Sequence, residues 1–457
     1  METSERHPVT CRCAACARPD RPADTRPHVV IVGAGFGGLT AARALGGADV
    51  RVTLVDRRNH HLFQPLLYQV ATAGLSPSQI ATPVRMIVRK QTNTEVLLAE
   101  VTGIDTAARR VVMGDLRLPY DFLILSTGAR SSYFGHEEWE RAAPGLKTLE
   151  DATGHRARIL LNLERAELEP DPEEQARLLT FVVIGGGPTG VEMAGAIAEL
   201  THRALSRDFR RIDPASARIV LVEGGPRLLS SFDEDLAGRA AASLARLGVE
   251  IVTGTPVGGI DAEGVRLGQT RIASRCVIWA AGVASTPAGA WVGCPTDRGG
   301  RALVEPDLSV PGRPEIFILG DCAHVPGEDG RPLPGLAPVA KQQGAHAAAC
   351  ILARIAGSAA PMPFRYRNFG TMATIGRKSA IADLGRIRLS GLAGWLLWSL
   401  LHIYFLIGFR NRVAVSIDWL WSYLTFERGA RLITGPIEAP PGPPEAARAR
   451  RPLRAAS

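Results

Sequence analysis

Residues His28–Asp56 read HVVIVGAGFGGLTAARALGGADVRVTLVD, a short apolar run followed by a glycine-rich turn, an Ala-rich run and a second apolar run. This order predicts a strand at His28–Val32, a helix at Leu39–Leu45 and a strand at Val50–Val55. Strands that alternate with a helix in this way form a βαβ unit, in which the two strands lie parallel. We therefore expect an α/β protein.

The glycine-rich turn has the spacing of a dinucleotide-binding site. Gly33 allows the tight bend, Gly35 lets the backbone approach a pyrophosphate, and Gly38 lets the helix pack close to the strand. The free N–H groups of the helix N-terminus then face the anion. Asp56 ends the second strand, 23 positions after Gly33, where a carboxylate accepts the ribose hydroxyls.

A second copy of this pattern follows, with a strand predicted at Leu179–Ile184, a helix at Val191–Leu205 and a strand at Arg218–Val222. The glycines of its turn are Gly185, Gly187 and Gly190. Its acidic residue, Glu223, lies 38 positions after the first of these, because the helix and its connection are longer. A carboxylate there repels a 2′-phosphate, so the second site should prefer NADH to NADPH.

Cysteine use and charge exclude several classes of protein. The seven cysteines include no close-spaced pair after Cys16, so neither a disulfide framework nor a dithiol relay is expected. The cluster Cys11, Cys13 and Cys16, with His7 nearby, is interpreted as part of a disordered tail, with zinc binding as the alternative; no metal site is predicted elsewhere. The net charge is +8, and residues 377–431 contain eight Arg or Lys against three Asp or Glu together with four of the seven tryptophans, which favours a lipid surface over nucleic acid.

Further strands are predicted at Phe122–Ser126, Cys276–Ala280 and Glu315–Leu319, and a helix at 341–356. The first 27 residues contain no apolar run and hence no secretory signal, so we expect the catalytic body to remain in the cytoplasm.

Three short segments resemble the two-dinucleotide-fold pyridine-nucleotide:flavin oxidoreductases. Ser126–Ala129, with Thr127 and Gly128, resembles the turn that ends the first FAD segment of that family. Gly282 lies in a similar turn that closes the NADH domain, and Asp321 in a motif whose Asp holds the ribityl chain. The resemblance implies that the first fold binds FAD, tightly and without a covalent bond, and that the second binds NADH as a substrate.

Within that family, the chain resembles the type II NADH:quinone oxidoreductases. The loop Asn59–Gln69 is similar to theirs and contains Gln64 and Pro65, which the resemblance assigns to cofactor binding. Ala337–Gln342 resembles their quinone motif, from which only Gln342 carries over as a quinone contact, and the adjacent Gln343 is also expected at the quinone. Pro338 stands where the motif has its first Gln, and the alternative is an ordinary helix N-terminus with solvated Gln side chains.

Glu192 comes shortly after the second glycine-rich segment and is expected in the first turn of the helix of the NADH fold. It either stabilises the helix end or, as the resemblance implies, relays protons beside the flavin.

The C-terminal segment Leu389–Phe409 contains no Asp, Glu, Lys or Arg, has His402 as its one side chain that titrates near neutral pH, and is long enough for a membrane span. Resemblance implies anchoring on one leaflet instead, and a buried core helix is the third alternative. Val413–Phe426 is expected to form an interfacial helix. The tryptophans at 395, 398, 419 and 421 are expected at the headgroup boundary.

The predicted fold class is α/β, with two Rossmann-like domains, an NADH domain inserted into an FAD domain, and a C-terminal membrane-anchoring region. The predicted boundaries are a disordered tail at 1–27, FAD segments at 28–147 and 293–370, the NADH domain at 148–292, the membrane-associated domain at 371–435 and a disordered tail at 436–457.

The resemblance implies a respiratory NADH:quinone oxidoreductase that passes hydride from NADH to N5 of FAD and two electrons to a membrane quinone, without proton pumping. It would act at the cytoplasmic face of the inner membrane, with the oligomeric state, including a homodimer, left open. Alternatives are a soluble NADH-dependent reductase of another redox protein, a sulfide:quinone reductase-like enzyme, in which Cys322 would take part, and an NADH-responsive flavin-binding sensor.

Overall fold

The computed structural model describes residues 24–328, 330–359, 362–425 and 427–434. The predicted cysteine cluster and most of both predicted tails lie outside these residues. The strands are β1 His28–Val32, β2 Arg51–Asp56, β3 His60–Leu62, β4 Ala81–Pro83, β5 Thr94–Leu98, β6 Gly103–Asp105, β7 Arg110–Met113, β8 Leu116–Pro119, β9 Phe122–Leu125, β10 Ala129–Ser131, β11 Thr180–Ile184, β12 Arg218–Glu223, β13 Val249–Thr253, β14 Val257–Asp261, β15 Gly264–Leu267, β16 Thr270–Ala273, β17 Cys276–Trp279, β18 Val283–Ser285, β19 Ala302–Leu303, β20 Ser309–Val310, β21 Arg313–Ile318, β22 Ala323–His324, β23 Thr371–Gly376, β24 Ser379–Asp383 and β25 Arg388–Ser390. The helices are α1 Phe36–Ala44, α2 Leu67–Ala71, α3 Pro77–Ile80, α4 Val84–Val88, α5 Leu149–Leu168, α6 Pro172–Leu178, α7 Pro188–Glu199, α8 Glu234–Arg246, α9 Ala288–Trp291, α10 Ala337–Ile355, α11 Gly391–Phe405 and α12 Phe409–Thr425.

The chain divides into two compact units. The first unit comprises residues up to 61, 83–129 and 285–366, and the second comprises 62–82, 130–284 and 367 onward. Each unit thus draws on separate stretches of the sequence.

The first unit is built on a six-stranded sheet in the order β20-β21-β9-β1-β2-β5. Strand β1 lies at its centre, parallel to β2 and β9, and is buried over its whole length. A strand covered on both faces is apolar throughout, which explains the continuous run of Val and Ile. Helices α1 and α10 pack closely, since a Cβ atom on Gly344 would lie 2.2 Å from the carbonyl oxygen of Gly37.

The second unit contains a four-stranded parallel sheet in the order β13-β12-β11-β17. Two three-stranded antiparallel sheets, β14-β15-β16 and β23-β24-β25, belong to the same unit. Helix α7 lies directly on β23, because a Cβ atom on Gly195 would come within 1.8 Å of the Ile375 carbonyl oxygen. This close packing fixes the position of the side chains along α7.

The two predicted βαβ units are present, but both helices begin earlier than expected. Helix α1 begins at Phe36 rather than Leu39, and α7 at Pro188 rather than Val191. Proline suits the first turn of a helix, because the N–H that it lacks has no partner there. The second helix also ends its regular turns at Glu199 and continues as a π turn at Leu200–Ala204.

The long apolar C-terminal segment is not one helix. Helix α11 ends at Phe405 and α12 begins at Phe409, with Gly408 at a φ of 91° between them. Glycine adopts this left-handed conformation without steric cost, so the chain turns there. Among the described residues, no helix has the length and apolar character needed to cross a membrane.

Candidate active site

The first glycine-rich turn joins β1 to α1. Gly33 has a φ of 100°, and a Cβ atom there would lie 2.3 Å from the carbonyl oxygen of Ser126. A Cβ atom on Gly38 would lie 1.9 Å from the Gly33 carbonyl oxygen, whereas one on Gly35 would meet nothing within 4 Å. The turn is therefore closed on its inner side and open at Gly35, as the approach of a pyrophosphate requires.

Asp56 is held against this turn by the backbone. One carboxylate oxygen accepts a hydrogen bond from the Ala34 N–H at 2.6 Å, and the other accepts one from the Arg58 N–H at 2.7 Å. Ser126 supports the same turn, since its hydroxyl oxygen accepts from the Gly38 N–H at 2.9 Å. These contacts orient the carboxylate beside the start of α1.

The other predicted FAD residues also lie in the first unit. The Thr127 and Thr286 hydroxyl groups are 2.6 Å apart, and Gly128 has a φ of 74°. Asp321 lies in a short 3-10 turn, Gly320–Cys322. Cys322 is fully buried, and burial raises the pKa of its thiol, so the structure gives it no activated thiolate.

The second glycine-rich turn has the same design. A Cβ atom on Gly190 would lie 1.8 Å from the Gly185 carbonyl oxygen, and one on Gly187 would meet nothing within 4 Å. The two carboxylate oxygens of Glu223 accept hydrogen bonds from the N–H groups of Gly186 and Gly225, each at 2.6 Å. The long spacing from the first glycine does not displace this acid, because β12 lies beside β11 in parallel register.

The remaining predicted cofactor residues lie in the second unit. Gly282 is packed against Phe134, whose ring carbon would be 2.5 Å from an added Cβ atom. Gln64 and Pro65 form a 3-10 turn, and the Gln64 amide donates to the Lys147 carbonyl oxygen at 3.2 Å.

A cavity of about 110 Å³ lies within the second unit. Its lining includes aromatic side chains of α11 and α12 and charged side chains of α7 and the C-terminal segment. The residues that line it include Tyr68, Gln69, Glu192, Glu199, Trp398, Trp419 and Arg428. Trp398 is 2% exposed, and its ring stacks on that of Trp419 with centroids 5.3 Å apart. The expectation that Trp398 lies at a headgroup boundary is therefore wrong, because its indole is enclosed by protein.

Glu192 is surrounded by protein but keeps an exposed part that faces this cavity. Its one hydrogen bond among the described residues comes from the Thr374 N–H at 3.3 Å. Burial raises the pKa of its carboxyl group from 4.5 to about 8. The side chain therefore holds a proton at neutral pH and can release it into the cavity.

Glu199 and Arg428 form a partly buried ion pair that lines the same cavity as Glu192. The Arg428 guanidinium donates to Glu199 at 3.3 Å and to the carbonyl oxygens of Thr72 and Ala196. Glu192 and Glu199 share one face of α7, since they are seven residues apart. That spacing was available in the sequence and could have identified Glu199, whereas Tyr68 and Arg428 had no comparable pattern.

Gln342 and Gln343 lie on α10 in the first unit. Gln343 is 1% exposed, and its amide oxygen accepts from the Gly320 N–H at 2.7 Å. Gln342 is half-buried. Quinone contact by either residue stays a prediction, and for Gln343 the structure adds a contact that fixes the turn next to Asp321.

Residues 27–344 match the model of the pyridine nucleotide-disulphide oxidoreductases, and residues 369–428 match that of the NDH2 C-terminal domain. The type II NADH:quinone oxidoreductase Ndh of Mycobacterium tuberculosis is 45% identical over 433 residues, 92% of each chain. NdhA of the same organism is 43% identical, over 90% of each chain. The structure of NDH2 from Plasmodium falciparum in complex with NADH superposes with a TM-score of 0.80, at 20% identity, over 90% of this chain and 100% of that one.

These matches span both dinucleotide folds and the C-terminal region, and the identity holds over nearly the whole chain. They confirm the resemblance found in the sequence motifs. The chain belongs to the type II NADH:quinone oxidoreductase family, within the pyridine nucleotide-disulphide oxidoreductases.

Proposed function

We propose that this chain binds FAD tightly and without a covalent bond, oxidises NADH and passes two electrons to a membrane quinone without pumping protons. One observation supports this most strongly. The chain contains two strand–turn–helix units, and in each the acid at the end of the next strand is hydrogen-bonded to the glycine-rich turn. Two such sites suit an enzyme that keeps one nucleotide as a cofactor and exchanges the other.

The first site fits FAD. Gly35 leaves the backbone open where a pyrophosphate would lie, and the N–H groups at the start of α1 supply donors to its oxygens. Asp56 is oriented to accept ribose hydroxyls, and Asp321 would hold the ribityl chain. FAD bound there would supply a carrier of two electrons, while the protein supplies binding and orientation.

The second site suits NADH. Gly187 is open in the same way as Gly35, and Glu223 stands where the adenosine ribose would bind. Both carboxylate oxygens are already fixed by backbone N–H groups, so the carboxylate cannot easily turn away from a 2′-phosphate. Its charge therefore disfavours NADPH.

Reduction of a quinone also consumes two protons, and Glu192 is the group that we assign to their delivery. Its carboxyl group stays protonated at neutral pH and faces the cavity of the second unit. Gln342, and less directly Gln343, are proposed to contact the quinone, as the family motif implies.

Helices α11 and α12 are proposed to bind the cytoplasmic surface of the inner membrane. They carry exposed apolar side chains at helical spacing, namely Leu392, Leu396, Leu400, Phe409, Val413, Ile417, Leu420 and Leu424. Nearby arginines add attraction to anionic lipid, about 1 kcal/mol for each at the surface. The match of residues 369–428 to the NDH2 C-terminal domain favours this proposal over a soluble reductase.

The test is turnover of NADH by the purified full-length chain with ubiquinone-1, together with the flavin released on denaturation. We expect about one FAD per chain and steady oxidation of NADH that depends on the quinone. A chain that binds FAD and is reduced by NADH, but passes electrons only to a ferredoxin, would contradict the proposal. Binding of FAD without any turnover would instead support the sensor.

A further inference from the structure

Three polar side chains form a hydrogen-bonded chain along the cavity of the second unit. The Trp419 indole N–H donates to the Gln69 amide oxygen at 2.8 Å. The Gln69 amide nitrogen in turn donates to the Tyr68 hydroxyl oxygen, also at 2.8 Å. All three residues line the cavity that contains Glu192.

The direction of these two hydrogen bonds follows from the chemistry of the Trp419 indole. An indole N–H can only donate, so the oxygen of the Gln69 amide must face Trp419. This removes the usual ambiguity between the oxygen and nitrogen of an amide side chain. The Gln69 NH₂ group must then face Tyr68, whose oxygen is the acceptor.

The Tyr68 hydroxyl proton is consequently left to donate elsewhere. Among the described residues, no acceptor lies within hydrogen-bond distance of it, although the side chain is 6% exposed. Burial, and next the charge of Glu192, hold the pKa of Tyr68 well above its usual value. The hydroxyl therefore keeps its proton and offers it as a hydrogen-bond donor.

Buried donors are normally paired, so an oriented and unused O–H group indicates a ligand oxygen. Trp398 and Trp419, whose rings stack on each other, line the same cavity. Such a lining suits a planar conjugated ring, and a hydroxyl donor suits a carbonyl oxygen on that ring.

We propose that the Tyr68 hydroxyl donates a hydrogen bond to a carbonyl oxygen of the quinone, and that Gln69, oriented by Trp419, is the positioning residue that turns this donor toward the cavity. This inference rests on the proposed function and adds a substrate contact that the sequence motifs did not indicate. It also gives α12 a role in quinone binding, because Trp419 on this helix sets the direction of the hydrogen bonds through Gln69 to Tyr68.

Replacing Gln69 with Glu separates this role from a purely structural one. A carboxylate at position 69 still accepts from Trp419 with one oxygen, so the link between α2 and α12 remains. Its second oxygen, however, accepts a hydrogen bond from the Tyr68 hydroxyl, whereas the Gln69 amide nitrogen donated one to it. The direction of the hydrogen bond between residues 68 and 69 is therefore reversed. Tyr68 then has no proton to offer to the cavity.

The experiment compares Gln69→Glu and Tyr68→Phe with the wild-type enzyme containing its flavin. We expect both variants to raise the KM for ubiquinone-1 about tenfold, and to leave unchanged the rate of flavin reduction by NADH and the rate with ferricyanide, which has no carbonyl oxygen. Tyr120→Phe is the matched control. Tyr120 lies in the first unit, is 4% exposed and has no hydroxyl partner within the part of the chain that the structure describes, so the variant should behave as wild type.

If Gln69→Glu keeps the wild-type KM while Tyr68→Phe raises it, the orienting role of Gln69 is wrong. If both keep the wild-type KM, Tyr68 does not contact the quinone. The variants could instead lose thermal stability and lose activity equally with ferricyanide and with ubiquinone-1. The hydrogen bonds among Trp419, Gln69 and Tyr68 would then have only a structural role, which would also overturn the inference. Failure of the wild-type enzyme to reduce ubiquinone-1 would instead overturn the proposed function.

Discussion

At the scale of single residues, the carboxyl groups of the two glycine-rich turns and of the cavity differ in their surroundings. Asp56 and Glu223 have equivalent positions, each bonded to an N–H group of its own glycine-rich turn. Glu192 has no such pair of backbone donors, and burial raises the pKa of its carboxyl group. One residue type therefore serves two purposes, according to whether the backbone supplies donors or burial removes water.

The nucleotide preference should depend on Glu223. Substituting Glu223→Gln removes the negative charge that repels a 2′-phosphate, so the ratio of kcat/KM for NADH to that for NADPH should fall about tenfold. Steady-state assays with both nucleotides and ubiquinone-1 measure it. Glu250→Gln, a carboxylate on the neighbouring strand that pairs with Arg218, should leave the ratio unchanged. Equal wild-type values for NADH and NADPH would contradict this assignment.

The pH dependence of quinone reduction should report Glu192. With a pKa of about 8, its carboxyl group donates a proton below that pH and is charged above it. The rate of flavin reoxidation by quinone should therefore fall as the pH rises through about 8. Glu192→Gln should be slower and lose this inflection. Stopped-flow absorbance of the flavin measures the step, with its reduction by NADH as the internal comparison.

The same shift affects stability, and its sign can be stated. The folded pKa of Glu192 lies above the unfolded value of 4.5, so protonation favours the folded state. The stabilisation is present below pH 4.5 and is lost as the pH rises to about 8. An Asp or Glu with a lowered pKa would show the opposite trend.

At the scale of elements, the break between α11 and α12 means that the proposed membrane-binding surface consists of two short helices and not of one long one. Two helices of 15 and 17 residues present exposed apolar faces, whereas the opposite side of α11 contributes Trp398 to the cavity. Deleting the chain after Ala380 would cut β24 and remove Trp398 and Arg428 from the second unit. Surface substitutions therefore test anchoring more directly than truncation.

We expect the double substitution Leu396→Glu with Leu400→Glu to weaken binding to anionic lipid vesicles at least tenfold. These side chains are 55% and 65% exposed, so the folded state should tolerate the charges, while their insertion among acyl chains becomes unfavourable. Co-sedimentation with vesicles measures the binding. Leu168→Glu, at a residue on α5 that is 74% exposed, is the matched control. If the double variant sediments with vesicles as the wild type does, the proposal that these helices bind the membrane surface is wrong.

At the scale of the whole molecule, the two units should divide the two nucleotides between them. A side chain at Gly38 or Gly190 would collide with the carbonyl oxygen of the first glycine in its turn, at 1.9 and 1.8 Å. Each collision opens the helix away from the strand at one site only, because the two turns belong to different units.

Gly38→Val should therefore purify without flavin, whereas Gly190→Val should keep about one FAD per chain and lose reduction by NADH. Flavin absorbance after denaturation measures the first property, and comparison of NADH with dithionite as reductant measures the second. Loss of flavin in the Gly190 variant, with the Gly38 variant still yellow, would reverse the assignment of the two folds.

The sequence alone determined the two dinucleotide folds, their order and the acids that accompany them. These features depend on contacts between residues that are near in the chain, where strand periodicity, glycine spacing and the acid at a strand end are all visible. Even the strand at His28–Val32 has the predicted bounds. The family resemblance, confirmed by the comparisons, rests on equally local motifs.

Tertiary structure decided what lies in the cavity. Tyr68, Glu192 and Arg428 come from distant parts of the sequence, and no local pattern relates them. Burial there gives Glu192 a raised pKa, and the donor-only indole of Trp419 sets the direction of the Gln69 amide. Desolvation and hydrogen-bond direction depend on which groups surround an atom in space, so they could not be predicted until the fold had placed those groups together.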